Sequence, residues 1–324
     1  MSYVKKASFL FLGINLQAFA FAEESGLSPK AEAIIPEGAW NYLTNSLFMS
    51  IVISLLIALT VRWVIRGGVT LIPQRGQAII EGIIDGVGSI LEPIVGKHLF
   101  TEIFPLLMGY FVFILIQNLS GLLPGIGSIG ININGNFSEI FRPMNADLNA
   151  TLALALIANV AWLYYCLKCV GIRGLYEHNF GNKADKNEVS KFVYGMLFVI
   201  FFGVGLVESL SILFRIVSLS FRLFGNVFGG ENLLHNMYEM SEFLVSGRLT
   251  ETDFYAMVSG WSSSLAAGMN WLVSKLGYFL PLPFYFLECL VSLVQAFVFT
   301  LLVSVYIGLI CKHDDEETVH VKEV

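Results

Sequence analysis

Apolar residues gather into five long stretches that are separated by shorter polar segments. The stretches cover residues 48–65, 100–123, 150–170, 192–234 and 271–310. A helix needs about 20 mainly apolar residues to cross a bilayer, so the first three predict one crossing each. The last two would each reach about 60 Å if fully helical, about twice the thickness of a hydrocarbon core. These two segments must therefore tilt steeply or break, and Pro281 and Pro283 mark an expected break or helix start.

A different pattern lies between the first two stretches. Its apolar positions recur at three- and four-residue steps and are Ile79, Ile80, Ile83, Ile84, Val87, Ile90, Leu91 and Ile94. Glu81, Asp85 and Glu92 share the other face, which makes the segment too polar to span. The pattern predicts one amphipathic helix. It fits equally well a helix at the cytoplasmic membrane surface and a helix packed on other parts of the protein.

Basic residues follow the first, third and last stretches. They are Arg62, Arg66 and Arg75, then Lys168, Arg173, Lys183, Lys186 and Lys191, and finally Lys312. The segments 23–46 and 125–149 carry one basic residue each, Lys30 and Arg142. Positive charge is retained on the cytoplasmic side of a membrane. We therefore expect five crossings with the mature N-terminus in the periplasm and the C-terminus in the cytoplasm.

The first residues have the features of a secretory signal. Lys5 and Lys6 precede a short apolar run, and alanines with the small-residue spacing of a cleavage site follow it. Residues 1–22 are predicted to be a signal peptide, with an uncleaved anchor as the alternative. We then expect a periplasmic segment at 23–47, a membrane domain at 48–311 with an extended periplasmic connection at about 235–269, and a cytoplasmic tail at 312–324.

Composition supports this division and excludes several classes of function. The chain is 56% hydrophobic and 14% charged, with a mean hydropathy of +0.71. These values are typical of an all-α polytopic membrane protein of one domain. No basic stripe or RNA-binding motif occurs, so nucleic acid is not an expected partner. The phosphate-binding pattern GxxxxGK[ST] is absent from the sequence, and no cofactor or metal site is predicted.

Ionisable residues inside the apolar stretches are the best candidates for function. Glu208, Arg215 and Arg222 are seven residues apart, so they stack along one helix face, which Asn226 extends. In the last stretch, Glu288 and Gln295 have the same spacing. An ionisable side chain at mid-bilayer costs at least about 3 kcal/mol. Two polar stripes in such surroundings indicate a path for ions.

A purely structural role is the alternative to a role in an ion path, and its weight differs from one of these residues to the next. Arg215 and Glu208 could equally well pair locally or extend toward a membrane surface. Arg222 lies deep in an apolar run, and an arginine keeps its charge where a lysine can lose it. Because its own segment offers no adjacent carboxylate, its partner is expected elsewhere, and another subunit could provide it.

Four separated motifs resemble one protein family. Residues 220–226 (SFRLFGN), followed by Gly229, Gly230 and Glu231, and residues 293–299 (LVQAFVF) are similar to two signatures of subunit a of bacterial F-type ATP synthases. Residues 117–124 and 142–152 agree as well. The resemblance runs in order from about residue 100 to 310, and four ordered motifs are far more specific than one short match.

The resemblance implies a stator with two long tilted helices against a rotor ring of c subunits, and a half-channel to each side of the membrane. Arg222 matches the essential arginine, which faces the ring's ion-binding carboxylate and blocks direct leakage. Asn226, Glu231, Glu288 and Gln295 match positions around it and in the outer half-channel. Glu208 matches a carboxylate toward the cytoplasm. In such proteins Glu231 and Glu288 approach each other, so we expect them to titrate as one unit.

The family implies further partners and a location. It places the chain in a bacterial inner membrane with the c ring, b-type stalk subunits and lipid as partners, and with protons or sodium ions as cargo. His235 is a possible addition to the outer channel, with a simple polar cap as the favoured alternative. Gly121 stands where some members have an aspartate, so no ion role is expected there. A secondary transporter and a structural scaffold are the competing functions. The former usually shows repeated halves, and the latter leaves Arg222 unexplained.

Overall fold

The computed structural model describes residues 44–66, 75–123, 130–133, 136–172, 174, 191–246, 260 and 263–322. These residues form α1 (Asn45–Ile65), α2 (Arg75–Val95), α3 (Lys97–Gly121), α4 (Leu148–Cys169), α5 (Lys191–Val245), α6 (Ser263–Phe279) and α7 (Pro281–Lys322). Between α3 and α4 lie two short antiparallel strands, β1 (Gly130–Ile133) and β2 (Asn136–Glu139), and a 3₁₀ turn at Met144–Ala146. The all-α class is therefore confirmed, with one small hairpin added in a loop.

The described residues include five helices that are suited to the expected crossings. Helices long and apolar enough to span a membrane cover Asn45–Ile65, Lys97–Gly121, Leu148–Cys169, Val199–Val245 and Ala267–Leu309. Thr44 caps the start of the first, because its side chain accepts a hydrogen bond from the Leu47 amide. Asp147 caps the third in the same way through the Asn149 amide. Such caps satisfy amides that a helix leaves without an internal partner.

The two longest apolar stretches fold differently from each other. α5 is a single helix of 55 residues and is about 80 Å long at 1.5 Å per residue. The last stretch breaks at Leu280, and Pro281 begins α7, as the sequence predicted. Proline is favoured at a first helical position because its missing N–H has no helical partner there. The connection expected at 235–269 is helical in part, because α5 continues to Val245 and α6 begins at Ser263.

The amphipathic segment is helix α2, and it packs on protein. Val87, Leu91 and Val95 are buried against α3 and α7, while Ile79, Ile83, Ile84 and Ile90 remain exposed. Gly96 then reverses the chain into α3 with a φ of 90°, which favours glycine. α7 crosses this turn at Gly308, where a Cβ would lie 2.5 Å from the Ile94 carbonyl oxygen. Glycine therefore lets two backbones meet there.

The core lies where α7 packs against α2, α3, α4 and α5. Phe299 is fully buried at its centre, with the ring of Tyr110 from α3 at 5.6 Å. The indole N–H of Trp162 on α4 donates to the Tyr306 carbonyl oxygen over 3.0 Å and links α4 to α7. α7 is thus the central helix, and its polar positions are held in fixed relation to α5.

The structure describes most of the predicted C-terminal segment but little of the predicted N-terminal segments. The signal peptide at 1–22 and most of the periplasmic segment at 23–47 lie outside the described residues. The tail expected at 312–324 is an extension of α7, which ends at Lys322. The sidedness of both ends stays a prediction.

Candidate functional site

Arg222 lies on the outward face of α5. Its side chain is exposed, as is that of Phe221, whereas Leu219 and Leu223 face the core and are buried. The apolar sequence had indicated a buried arginine, but the burial it predicted does not come from this chain. Among the described residues, Arg222 makes no hydrogen bond or ion pair. The charge is therefore available to a group outside the chain.

Large apolar side chains are exposed on both α5 and α7. The exposed ones are Leu213, Phe214, Val217 and Phe221 on α5, and Leu287, Leu290, Leu293 and Val294 on α7. Water does not solvate such a surface favourably, so lipid or another protein must cover it. Arg222 is a permanent cation on a helix whose other exposed side chains are mainly apolar.

Asn226 and Gln295 meet where α5 and α7 pack together. The Nδ2 of Asn226, one turn beyond Arg222, donates to Oε1 of Gln295 over 2.6 Å. Gln295 is almost fully buried, and its Nε2 has no hydrogen-bond partner among the described residues. The predicted polar stripes on the two helices are thus joined directly. The remaining amide donor is suited to bind water at this level.

Glu288 is buried between the same two helices, with 7% of its side chain exposed. Its carboxylate lies against Gly230, and a Cβ at that position would overlap both carboxylate oxygens. Gly230 therefore makes the room in which Glu288 sits. A carboxylate held in a nearly closed site is a candidate to bind and release protons.

Glu231, the residue after Gly230, is paired with an arginine that the motif analysis gave no role. The Nη2 of Arg142 lies 3.9 Å from Oε2 of Glu231, with 5% of Arg142 and 22% of Glu231 exposed. The sequence did hold one signal for it, because Arg142 is the single basic residue of the segment 125–149. Its position next to α5 depends on the fold of the loop.

A buried polar cluster holds that loop on the helices. Asn145 donates to Asn118 over 2.6 Å, and Asn118 donates to the Ser292 carbonyl oxygen over 3.3 Å. Ser46 on α1 donates to Asp147 over 3.1 Å. These bonds connect the loop to α1, α3 and α7, so Arg142 is presented from a rigid support. The cluster lies within two of the matched motifs, which explains why those motifs contain amides.

Pro143 adds an apolar contact to the same support. A Cβ at Gly121 would lie 2.6 Å from Cγ of Pro143, so the loop packs directly on the end of α3. The sequence predicted no ion role for Gly121. In the structure Gly121 provides space for the proline that follows Arg142.

The remaining candidates lie apart from this group. Glu208 is 14 residues from Arg222, or about 21 Å along the helix. Arg215 interacts electrostatically with Glu208 and packs on the rings of Trp162 and Tyr306. His235 lies 3.4 Å from Glu239 on the same helix. In the described part of the chain, no group of three or more His, Cys, Asp or Glu side chains could hold a metal ion.

Residues 47–308 match the family model described as ATP synthase A chain. This match covers well over half of the chain and all the described site residues. The chain belongs to the ATP synthase A chain family. A protein named ATP synthase subunit a from Desulfotalea psychrophila is 27% identical over 304 residues, which are 94% of this chain and 97% of that relative.

Other bacterial relatives of the same name agree. One from Shewanella loihica is 27% identical, with 87% of this chain and 91% of the relative covered. Another from Pseudomonas savastanoi pv. phaseolicola is 28% identical, with 90% and 91% covered. The family therefore spans the chain nearly from end to end. The five apolar helices and these relatives identify a bacterial membrane protein.

Proposed function

We propose that this chain is the ion-translocating stator subunit of a rotary F-type ATP synthase, with no catalytic site of its own. The observation that carries the proposal is the exposure of Arg222 on α5, a helix whose other exposed side chains are mainly apolar. A charge in that position is explained by a partner that brings its own carboxylate. The ring of c subunits is that partner.

Arg222 acts by charge. As each ring subunit passes, the cation favours the ionised form of the ring carboxylate, which then gives up its ion on one side and takes one up on the other. The same charge repels a cation that would pass directly between the two half-channels. Rotation is therefore the only route by which an ion can cross, and ion flow is coupled to ATP synthesis elsewhere in the complex.

The outer half-channel runs along the polar contacts between α5 and α7. Glu288, Glu231 and the Asn226–Gln295 pair supply its polar groups, and His235 is a possible further member near the entrance. Their contacts in the structure support this path, because Glu288 lies on Gly230 and Asn226 bonds to Gln295. Arg142 joins it through the ion pair with Glu231.

The cytoplasmic half-channel includes Glu208. Its half-buried position, about four turns from Arg222 along α5, is consistent with the far end of the path. Arg215 is a possible member of the same region through its electrostatic interaction with Glu208. The charge bias of the loops supports this orientation, with the C-terminus and Glu208 toward the cytoplasm of the cell and the α5–α6 connection in the periplasm.

The substitution Arg222→Ala tests this function in inverted vesicles that contain the whole complex. We expect ATP-driven proton pumping to be lost while the complex retains its subunits, including the c ring and the b-type stalk. Arg222→Lys should also fail, because its ammonium group lacks the delocalised fork and loses its proton more readily when desolvated. Pumping near the wild-type rate in either variant would refute the assignment. A chain that purifies alone or as a homodimer would favour a secondary transporter.

A further inference from the structure

A small pocket lies among the helices, about two turns before Arg222 along α5. It is formed where α4, α5 and α7 meet, and Asn159, Trp162, Arg215, Leu219, Val303 and Tyr306 line it. Most of its surface is apolar. One cation and one amide are therefore enclosed in surroundings that offer them few partners.

Two aromatic rings hold Arg215 in place. Its Cζ lies 3.7 Å from the centroid of the Tyr306 ring and 5.1 Å from that of Trp162. The bond from the Trp162 indole to the Tyr306 carbonyl oxygen fixes one ring relative to the other. Cation–π contacts of this kind stabilise a guanidinium that has little water around it. The position of the charge is thus set by packing.

Both polar residues that line the pocket have an unsatisfied buried atom. Within the part of the chain that the structure describes, Arg215 Nη1 and Asn159 Oδ1 are buried and have no hydrogen-bond partner. Nη1 is a donor and Oδ1 is an acceptor. Water can accept from the first and donate to the second, and buried waters typically bridge such groups. An anion would meet the amide oxygen of Asn159 and is less suited.

A polar contact between α4 and α5 lies about two turns from the pocket along α4. Thr151, two turns before Asn159 on α4, shares a hydrogen bond of 3.2 Å with Ser220, which lies five residues after Arg215 on α5. Water in the pocket would therefore extend the polar interior toward the cytoplasmic end of α5. Protons could then cross the stator without contact with the rotor.

We propose that the Asn159–Arg215 pocket is an internal hydration site, and that Arg215 is the fixed charge that keeps protons from crossing through it. This inference rests on the proposed function. An excess proton in the pocket would lie next to a guanidinium that cannot deprotonate, in a medium of low dielectric constant, where repulsion between like charges is strong. Arg222 would then block direct passage between the half-channels along the ring, and Arg215 would block passage through the pocket between the helices.

The test uses complexes whose ring carboxylate is replaced by its amide, so that the rotor route is closed. Passive proton flux is measured in vesicles after removal of the catalytic head, with a potassium diffusion potential as the driving force. The wild-type stator should give only background flux. We expect Arg215→Gln to raise ring-independent flux by about tenfold or more, because the repelling charge is gone. Arg215→Lys is the comparison variant: it retains a cation only while its ammonium group stays protonated, so its flux should lie between those of the wild type and Arg215→Gln.

Each other result has a definite meaning. Background flux in Arg215→Gln would overturn the inference. Leakage in Arg215→Lys as large as that in Arg215→Gln, even at a pH low enough to keep the lysine protonated, would show that packing and not charge forms the seal. Asn159→Leu combined with Arg215→Gln should restore the seal, since leucine removes the water acceptor and fills space. The wild-type stator with an intact ring must conduct in the same assay. If it does not, the proposed function fails, whatever Arg215 does.

A direct observation covers the case in which the Arg215 variants fail to assemble. Electron cryomicroscopy of the intact wild-type complex, at a resolution that shows other buried waters, should reveal density within hydrogen-bond distance of Arg215 Nη1 and Asn159 Oδ1. A dry pocket would overturn the hydration site.

Discussion

The carboxylate of Glu288 on α7 occupies the space that a side chain at residue 230 on α5 would need. Gly230 is helical there and has no unusual backbone angle, so its role is space and not conformational freedom. The two helices that carry the candidate ion path are thus fitted to each other at one carboxylate. This contact gives a sharp test, because the neighbouring Gly229 faces open space.

We expect Gly230→Ala to slow proton flux by about tenfold or more without loss of assembly. The added Cβ displaces the far end of a flexible glutamate, so the stability cost is small, whereas a displacement of about 1 Å can cost a large factor in rate. Gly229→Ala is the matched control and should be close to wild type. Passive flux through complexes stripped of the catalytic head measures both.

A second substitution tests whether displacement of the Glu288 carboxylate is what slows the flux in Gly230→Ala. Glu288→Asp shortens the side chain, so the double variant of Gly230→Ala with Glu288→Asp should recover part of the lost flux. If Gly229→Ala is as damaging as Gly230→Ala, or if the shorter acid gives no recovery, steric displacement of Glu288 is not the mechanism.

The sequence predicted the crossings well because the bilayer imposes their length. The break at Pro281 was also predictable, since proline restricts the backbone locally. Exposure of Arg222 was not, because an apolar run shows that water is scarce but not whether lipid, this chain or another subunit excludes it. The contact between Arg142 and Glu231 was not predictable either. It depends on a loop that bonds to α1 and α3, and α3 bonds in turn to α7.

The buried pair of Arg142 and Glu231 should contribute more to stability than the exposed pair of Lys168 and Glu102. Removing one partner of a buried pair leaves an uncompensated charge, whereas exposed pairs contribute little. Glu231 is partly exposed to solvent, which reduces the cost of leaving its charge without Arg142. We therefore expect Arg142→Met to lower the free energy of unfolding by about 2 kcal/mol. Unfolding of the purified subunit in mixed detergent micelles measures this loss.

Lys168→Met is the comparison for that loss. Its amine bonds to Glu102 at a site where both side chains are nearly half exposed, so little measurable change is expected. Arg142→Lys should fall between Arg142→Met and wild type, because it keeps the charge but not the fork. Equal losses at Arg142 and Lys168 would contradict the distinction between the two pairs.

The bond between Asn226 and Gln295 should appear as coupling in a double-mutant cycle. The variants Asn226→Ala and Gln295→Ala each remove one partner of a 2.6 Å hydrogen bond. Each substitution should therefore lower the free energy of unfolding by less when the other is already present than it does in the wild type. A neutral hydrogen bond predicts a coupling of about 1 kcal/mol in unfolding. Asn232→Ala is a control, since its amide bonds within its own helix to Phe228. Coupling as large between Asn232 and Gln295 would show a general weakening of the helix pair.

The last prediction concerns Glu231 and Glu288, which we expect to act as one unit in the outer half-channel. Glu288 rests on Gly230, so its carboxylate lies beside the residue that precedes Glu231. Two carboxylates that share a poorly solvated site do not ionise independently. The cation of Arg142 compensates Glu231, and Glu288 is the more buried of the two acids, so Glu288 should carry most of the proton exchange.

Passive flux against pH, measured for Glu231→Gln, Glu288→Gln and the double variant in head-stripped complexes, separates this idea from independent action. Glu288→Gln should give the larger loss, and Glu231→Gln a partial one. The double variant should be less damaged than the two single losses combined, because removing one acid already ends the interaction between them. Additive losses with an unchanged pH profile would mean that each acid merely hydrates the channel. The role of Arg222 would stand even then, because its charge acts on the ring and not on this pair.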